Sequence, residues 1–319
     1  MSAIIDLTGS SPNARTRQTR SSTRQAVSPI ASPSKRDESP DLSSKKPLIS
    51  LMPSINFISQ IPLPSEHRGI LISKCDWLTS HTIALPQDVV RSIALNPTYH
   101  NPVDATYIFA QAHAGTAVCI SPDGILLTCA HCIAEESSEL TTLPSHVLIS
   151  SNGGVVSTKV ISWDPVRDLA LLLIDQAQSP GRPFPHIRIA SSPPKLNSKL
   201  LCIGHPGSYD FEAENSDTET GYDTLVLSEG TFRGLATGQD PQDNTSIGAL
   251  KHNCWTYWGH SGAGLFDRKT GSLVGVHSSW DEETGMRRGV PFEAVVSFLE
   301  EFESSKREAF GKTWQWYVQ

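Results

Sequence analysis

The stretch "WGHSGAGLF", Trp258–Phe266, sets one serine between glycines, directly ahead of apolar residues. A serine flanked in this way can present its hydroxyl as a nucleophile, and unrelated hydrolases do so in two settings. In one, the serine sits on a sharp elbow between a strand and a helix. In the other, it sits in a loop between two strands. The order of the remaining chemistry along the chain separates the two.

The elbow architecture places the serine before both its acid and its histidine. Only 58 residues follow Ser261, and the single histidine among them, His277, lies in a strand-like run. The second elbow glycine is also missing, because Ala263 stands there. The opposite order, His…Asp…Ser, is well supplied. "LLTCAHCI" (Leu126–Ile133) puts His131 just past an apolar run, and "DPVRDLALLLID" (Asp164–Asp175) puts Asp168 at the head of another. Taken singly, such a His is usually a packing residue and such an Asp can simply open a strand. Their weight comes from standing together in this order.

These three motifs, with "GTAVCISPDGILLTCAHCI" and "CIGHPG…SEGTFRGLA", resemble the trypsin-like (chymotrypsin-fold) serine peptidases. The chain looks closest to their intracellular, HtrA-like branch, over roughly Ala94 to Phe302. The resemblance implies two antiparallel six-stranded β-barrels and a serine endopeptidase acting on protein or peptide substrates. By the same resemblance His131, Asp168 and Ser261 form the triad, and the N–H groups of Gly259 and Ser261 form the oxyanion hole. His277 and Ser278, in "VGVHSSW", fall on the strand lining the P1 pocket, where a pocket histidine implies a preference for Glu or Gln.

The sequence departs from the family pattern in places. His260 stands where Asp or Asn is usual, which argues against activation through a freshly cut N-terminus. Ala263 adds a methyl group where a substrate backbone approaches. These departures keep open an inactive peptide-binding pseudo-protease, or an adaptor recruited through its tail. The family's usual partner for the cysteine after the histidine falls near Thr116, which is not cysteine, and the peptide-binding domain that often follows in HtrA-like proteins is not expected here. "CAHC" with "HNC" (His252–Cys254) has zinc-like spacing, but His131 is better placed in the triad and no second Cys-x-x-Cys exists. No metal or other cofactor is expected.

Outside the motifs, the chain reads as short β-type runs bounded by Gly, Pro, Asp and Ser, which suits barrels rather than alternating βα units. "LPQDVVRSIAL" (Leu85–Leu95) has a short helical pattern, and Pro291–Phe310 has a longer one closing the chain. The expected organisation is a disordered tail over 1–50, a peptidase domain over 51–305 with its barrels dividing near 176–195, and a helix end and tail over 306–319. "DFEAENSDTETGYD" (Asp210–Asp223) reads as an acidic surface loop.

Charge is uneven along the 319 residues. The first fifty carry +4 and the rest −11, giving −7 overall. An acidic body argues against nucleic-acid binding through the folded part. No apolar run reaches the roughly 20 residues that span a bilayer. The N-terminus lacks the pattern of a secretory signal, so an intracellular protein with reduced cysteines is expected. "AIIDLTGSS" (Ala3–Ser11) resembles a SUMO-interacting motif through Ile4, Ile5, Asp6 and Leu7, a segment that binds by adding a strand to its partner. With the basic pairs Lys35–Arg36 and Lys45–Lys46, it points to the nucleus more than the cytoplasm, and to SUMO or a sumoylated protein as a partner.

Overall fold

The computed structural model describes residues 50–51, 63, 65–96, 99–111, 115–143, 145–178, 183–215 and 218–310. The motif at Ile4–Leu7 and the rest of the proposed tail up to residue 49 lie outside them, as do residues 311–319. Twelve strands make two barrels. The first uses β2 (Thr106–Phe109), β3 (Thr116–Cys119), β4 (Ile125–Thr128), β5 (Ser145–Ser150), β6 (Val155–Asp164) and β7 (Leu169–Ala177). The second uses β8 (Lys199–Gly204), β9 (Val226–Leu235), β10 (Leu250–His252), β11 (Gly264–Asp267), β12 (Leu273–Trp280) and β13 (Arg287–Pro291).

Around the first barrel the order is β2-β3-β4-β7-β6-β5, closed by the β5–β2 pairing. Around the second it is β8-β9-β10-β13-β12-β11, closed by β11–β8. Within each barrel the order is the same, first-second-third-sixth-fifth-fourth, and every one of these pairings is antiparallel. The two-barrel architecture expected from the motifs is therefore present. A short strand, β1 (Ser50–Leu51), adds to the first barrel in parallel with β7.

Composition explains why these runs close on themselves. "ILLT" and "LALLLI" are buried along their length, so both faces of β4 and of most of β7 must be covered. Closure also leaves no unpaired strand edge in the sheet. Val118, Ile125, Leu127, Leu148 and Leu171 on the strands of the first barrel are all fully buried. Residues 178–198, which contain Phe184, Ile187 and Ile189, carry the chain from β7 to β8.

Four helices complete the domain: α1 (Ser65–Ser80), α2 (Gln87–Leu95), the one-turn α3 (Glu139–Thr142) and α4 (Phe292–Phe310). The last follows the Pro291–Phe310 pattern and buries Ala294, Val295, Phe298, Leu299 and Phe302. Helix α1 is held through an unusual anchor. Lys74 is buried, and its Nζ donates to the carbonyls of Phe109 and Gln111, each at 2.9 Å. Burial brings this ammonium down to about 7. No helix among the described residues is long and apolar enough to cross a membrane.

Candidate active site

His131 sits in a single 3₁₀ turn, Ala130–Cys132, directly after β4. Trp163 on β6 pins that turn, its Nε1–H donating to Ala130 O at 3.1 Å. Asp168 is the last residue before β7 and has φ +55°. That left-handed conformation is uncommon outside glycine, and Asp tolerates it better than most residues. The loop before it is tied on two sides. Arg167 bonds Asp164 Oδ2 at 2.7 Å and reaches Glu301 on α4, while the Val166 carbonyl accepts the Asn244 N–H at 2.8 Å. Surroundings that over-determine a strained residue in this way are common at functional sites.

The two side chains meet. His131 Nδ1 lies 2.9 and 3.0 Å from the Asp168 carboxylate oxygens, and the His131 backbone N–H donates to Oδ1 at 3.2 Å. A carboxylate only accepts, so Nδ1 carries the proton. A third donor comes from the other barrel: Ser278 Oγ bonds Asp168 Oδ2 at 2.8 Å. Asp168 is 6% exposed, yet its charge is fully met by these three donors.

Ser261 lies in the loop before β11, and its hydroxyl is hydrogen-bonded to Ser278 O rather than to His131. Gly262 has φ +86°, and a Cβ there would fall 1.9 Å from Thr116 O, so only glycine fits. Gly259 has φ +94°, with His205 O 2.6 Å from where a Cβ would stand. Thr116 ties the barrels together at this point, its N–H donating to Ser261 O at 2.8 Å and its Oγ1 accepting the His205 N–H at 3.0 Å. Ser261 Oγ donates to Ser278 O at 3.0 Å. The N–H groups of Gly259 and Ser261 donate to no protein acceptor among the described residues. They remain open to a ligand oxygen.

Electrostatics around His131 oppose one another. The ring is 45% exposed on its outer side. Desolvation by the barrels pulls its pKa down, but the Cys132 sulfur, followed by the Asp168 hydrogen bond, holds it well above the ordinary value. Cys132 is lowered to about 6, first by the neighbouring Cys129 thiol and then by the His131 charge, against its own burial.

The residues flagged around the serine take distinct places. Ala263 is fully buried within the second barrel, its methyl beside Gly204, so it takes no space from a bound chain. His260 is also fully buried. Its Nδ1 sits 3.1 Å from Tyr257 N and 3.2 Å from Tyr257 O, and desolvation lowers it to about 3. A neutral ring thus stands where the resemblance implies Asp or Asn. His277 is 1% exposed and hydrogen-bonds His252, Nδ1 to Nε2 at 3.0 Å. Ser278, expected to touch substrate, has its hydroxyl committed to Asp168; its backbone carbonyl, not its side chain, faces Ser261.

Cys129 Sγ, a His131 ring nitrogen and an Asp168 oxygen lie within 4.8 Å of one another, a group that shares only part of "CAHC" and nothing of "HNC". Each is already engaged: Cys129 donates to His277 O at 3.3 Å, and Nδ1 and the carboxylate bind each other.

A family model, the trypsin-like peptidase domain, matches residues 115–276, just over half of the chain, and spans His131, Asp168 and Ser261. The chain belongs to the trypsin-like peptidase family. By that membership it is a serine endopeptidase, and its substrates are proteins or peptides. No curated protein matches it in sequence. Among solved structures it is similar to a serine endoprotease from Yersinia pestis, at 20% identity and a TM-score of 0.48, covering 71% of this chain and 70% of that one. It is also similar to Rv3671c from M. tuberculosis H37Rv, an inactive form, at 18% identity and a TM-score of 0.46, covering 70% and 98%.

Sequence reasoning did not see Thr116 as the anchor between the barrels or Ser278 as a donor to Asp168. Neither carries a local signal, because both roles join segments 89 or more residues apart.

Proposed function

We propose that this trypsin-like peptidase cleaves peptide bonds with Ser261 as nucleophile, His131 as general base and then acid, and Asp168 as the orienting carboxylate. The observation that carries the reading is the Asp168 carboxylate, buried, bound to His131 Nδ1 and supported by a hydroxyl from the opposite barrel. With the proton fixed on Nδ1, the other ring nitrogen is the basic one. It takes the Ser261 proton as the oxygen attacks the scissile carbonyl, and returns it to the leaving amine. The imidazolium formed in between is stabilised by Asp168. The Gly259 and Ser261 N–H groups receive the developing oxyanion, and losing one such donor typically costs about 3 kcal/mol of transition-state stabilisation.

Labelling with a fluorophosphonate serine probe tests the assignment. The wild-type chain is expected to label, and Ser261→Ala and His131→Ala to lose the label. An unlabelled wild type would instead favour a peptide-binding pseudo-protease.

The proposal extends to specificity. His277 is neutral, since desolvation and then the neighbouring His252 and His260 push it well below the ordinary value. Assigning the shared proton to His252 Nε2 leaves His277 with its N–H on Nε2, a donor suited to a side-chain oxygen. We therefore expect cleavage after Glu or Gln in a peptide library. Cuts after Leu or Arg would overturn it. Six free cysteines support a reducing, intracellular setting for this activity.

A further inference from the structure

Two thiols bracket the turn that carries His131. Cys132 N–H donates to Cys129 O at 3.3 Å, an i→i+3 closure, and both thiols point toward the backbone of the other barrel, Cys129 Sγ to His277 O at 3.3 Å and Cys132 Sγ to Ser261 O at 3.5 Å. Such a turn holds its end Cα atoms within about 7 Å, close to the span a disulfide bridges. Both cysteines are free. They differ in surroundings: Cys129 is fully buried, whereas Cys132, the residue after His131, is partly exposed.

We propose that Cys129 and Cys132 are a peroxide-sensitive pair whose disulfide closes the turn carrying His131. Cys132 is the attacking sulfur, because it is the partly exposed one and its thiolate is favoured by the neighbouring Cys129 thiol and by the His131 charge. The thiolate attacks one peroxide oxygen, the S–O bond forms, the O–O bond breaks, and hydroxide leaves as water after taking a proton. Cys132 has then lost two electrons to the peroxide and is a sulfenic acid. Desolvation keeps Cys129 a thiol, and it is the resolving group. Its sulfur attacks the sulfenic sulfur, the S–S bond forms, the S–O bond breaks, and the hydroxyl departs with the Cys129 proton as water.

The consequence for His131 follows from charge. The titratable groups around its ring are Cys132, Cys129 and Asp168 in the first barrel, the Cys129 sulfur within 4.8 Å of a ring nitrogen, and His277 from β12 in the second. Of the two anions, oxidation removes Cys132 and leaves Asp168. The imidazole should then lose its proton at lower pH, freeing the base. Removing a charge at this distance shifts a pKa by about 1 to 3 units. The effect on activity rests on the triad reading above; formation of the disulfide does not.

The test uses the full chain treated with hydrogen peroxide, thiol alkylation with peptide mapping, and NMR titration of the His131 ring, assigned with His131→Gln. A Cys129–Cys132 disulfide reversed by dithiothreitol is expected. The His131 midpoint should fall by about 1 to 3 units on oxidation, and equally in Cys132→Ser without oxidant. In Cys129→Ser, dimedone should trap the Cys132 sulfenic acid. Two alkylatable thiols after peroxide, a disulfide to another cysteine, or an unmoved midpoint in the oxidised wild type would each overturn the proposal. The ring titration needs no catalysis, so an unlabelled Ser261 would sink the triad reading while the thiol pair is still decided.

Discussion

Asp168→Asn is expected to lower kcat about 10⁴-fold while the fold remains intact. Asn tolerates the left-handed backbone at this position about as well as Asp, and its carbonyl oxygen can keep the bond from the His131 N–H. What changes is the face toward Nδ1. One carboxylate oxygen becomes an NH₂ group, which donates and so favours the imidazole tautomer with its proton on the wrong nitrogen. The charge that stabilises the imidazolium is lost as well. The check is kcat and KM on one substrate, with circular dichroism to show that the barrels persist. A fall in kcat with KM nearly unchanged supports Asp168 as the orienting group. A loss below tenfold would mean that the base works without it and would remove Asp168 from the mechanism.

The site was legible in the sequence to the extent that its residues stand next to strong local patterns. His131 follows "ILLT", Asp168 opens "LALLLI", and Ser261 precedes "GLF", so strand periodicity brought each to a strand end. Nine strand-like runs were readable, but β2, β10 and β13 were not. β10 is "LKH" and β13 is "RRGVP", short and charged, and their place in the barrel comes from partners. Arg288 on β13 is buried because its Nε–H donates to Gly248 O at 2.8 Å, a contact no local pattern announces. Helix α1 was hidden for a similar reason. Its buried positions Leu71, Lys74 and Leu78 follow helical spacing, but a lysine interrupts the apolar stripe. Reading Ala263 as an obstacle to substrate failed because the direction of a methyl depends on which way the loop enters β11. The common strand order of the two barrels left no repeat in the sequence, since barrel closure constrains burial and length more than residue identity.

Acidification from pH 7 to 5 is expected to destabilise the second barrel severely, through histidines that fold neutral. Desolvation lowers His252 and His260 to about 3 and His146 in the first barrel to about 4, and it pushes His205 and His277 well below their ordinary value. In the unfolded chain each would take a proton near pH 6.5. Stability from these groups is therefore complete above about 6.5 and is lost as pH falls toward the folded values. Each costs about 1.4 kcal/mol per pH unit in that window. Three of them together lose about 6 kcal/mol by pH 5, comparable with the whole stability of an ordinary domain. His131 has the opposite sign: its raised folded pKa contributes fully below about 6.5, so it adds nothing further there to oppose the loss. Thermal unfolding across this range should show Tm falling by roughly 15 °C, well before the carboxylates protonate. His252→Asn, which removes one titrating ring, should flatten the slope by about one proton. A Tm that stays level from pH 7 to 5 would mean that these imidazoles are charged in the folded barrel, and would contradict their burial, with Arg287 and no acidic group acting on His252, His260 and His277.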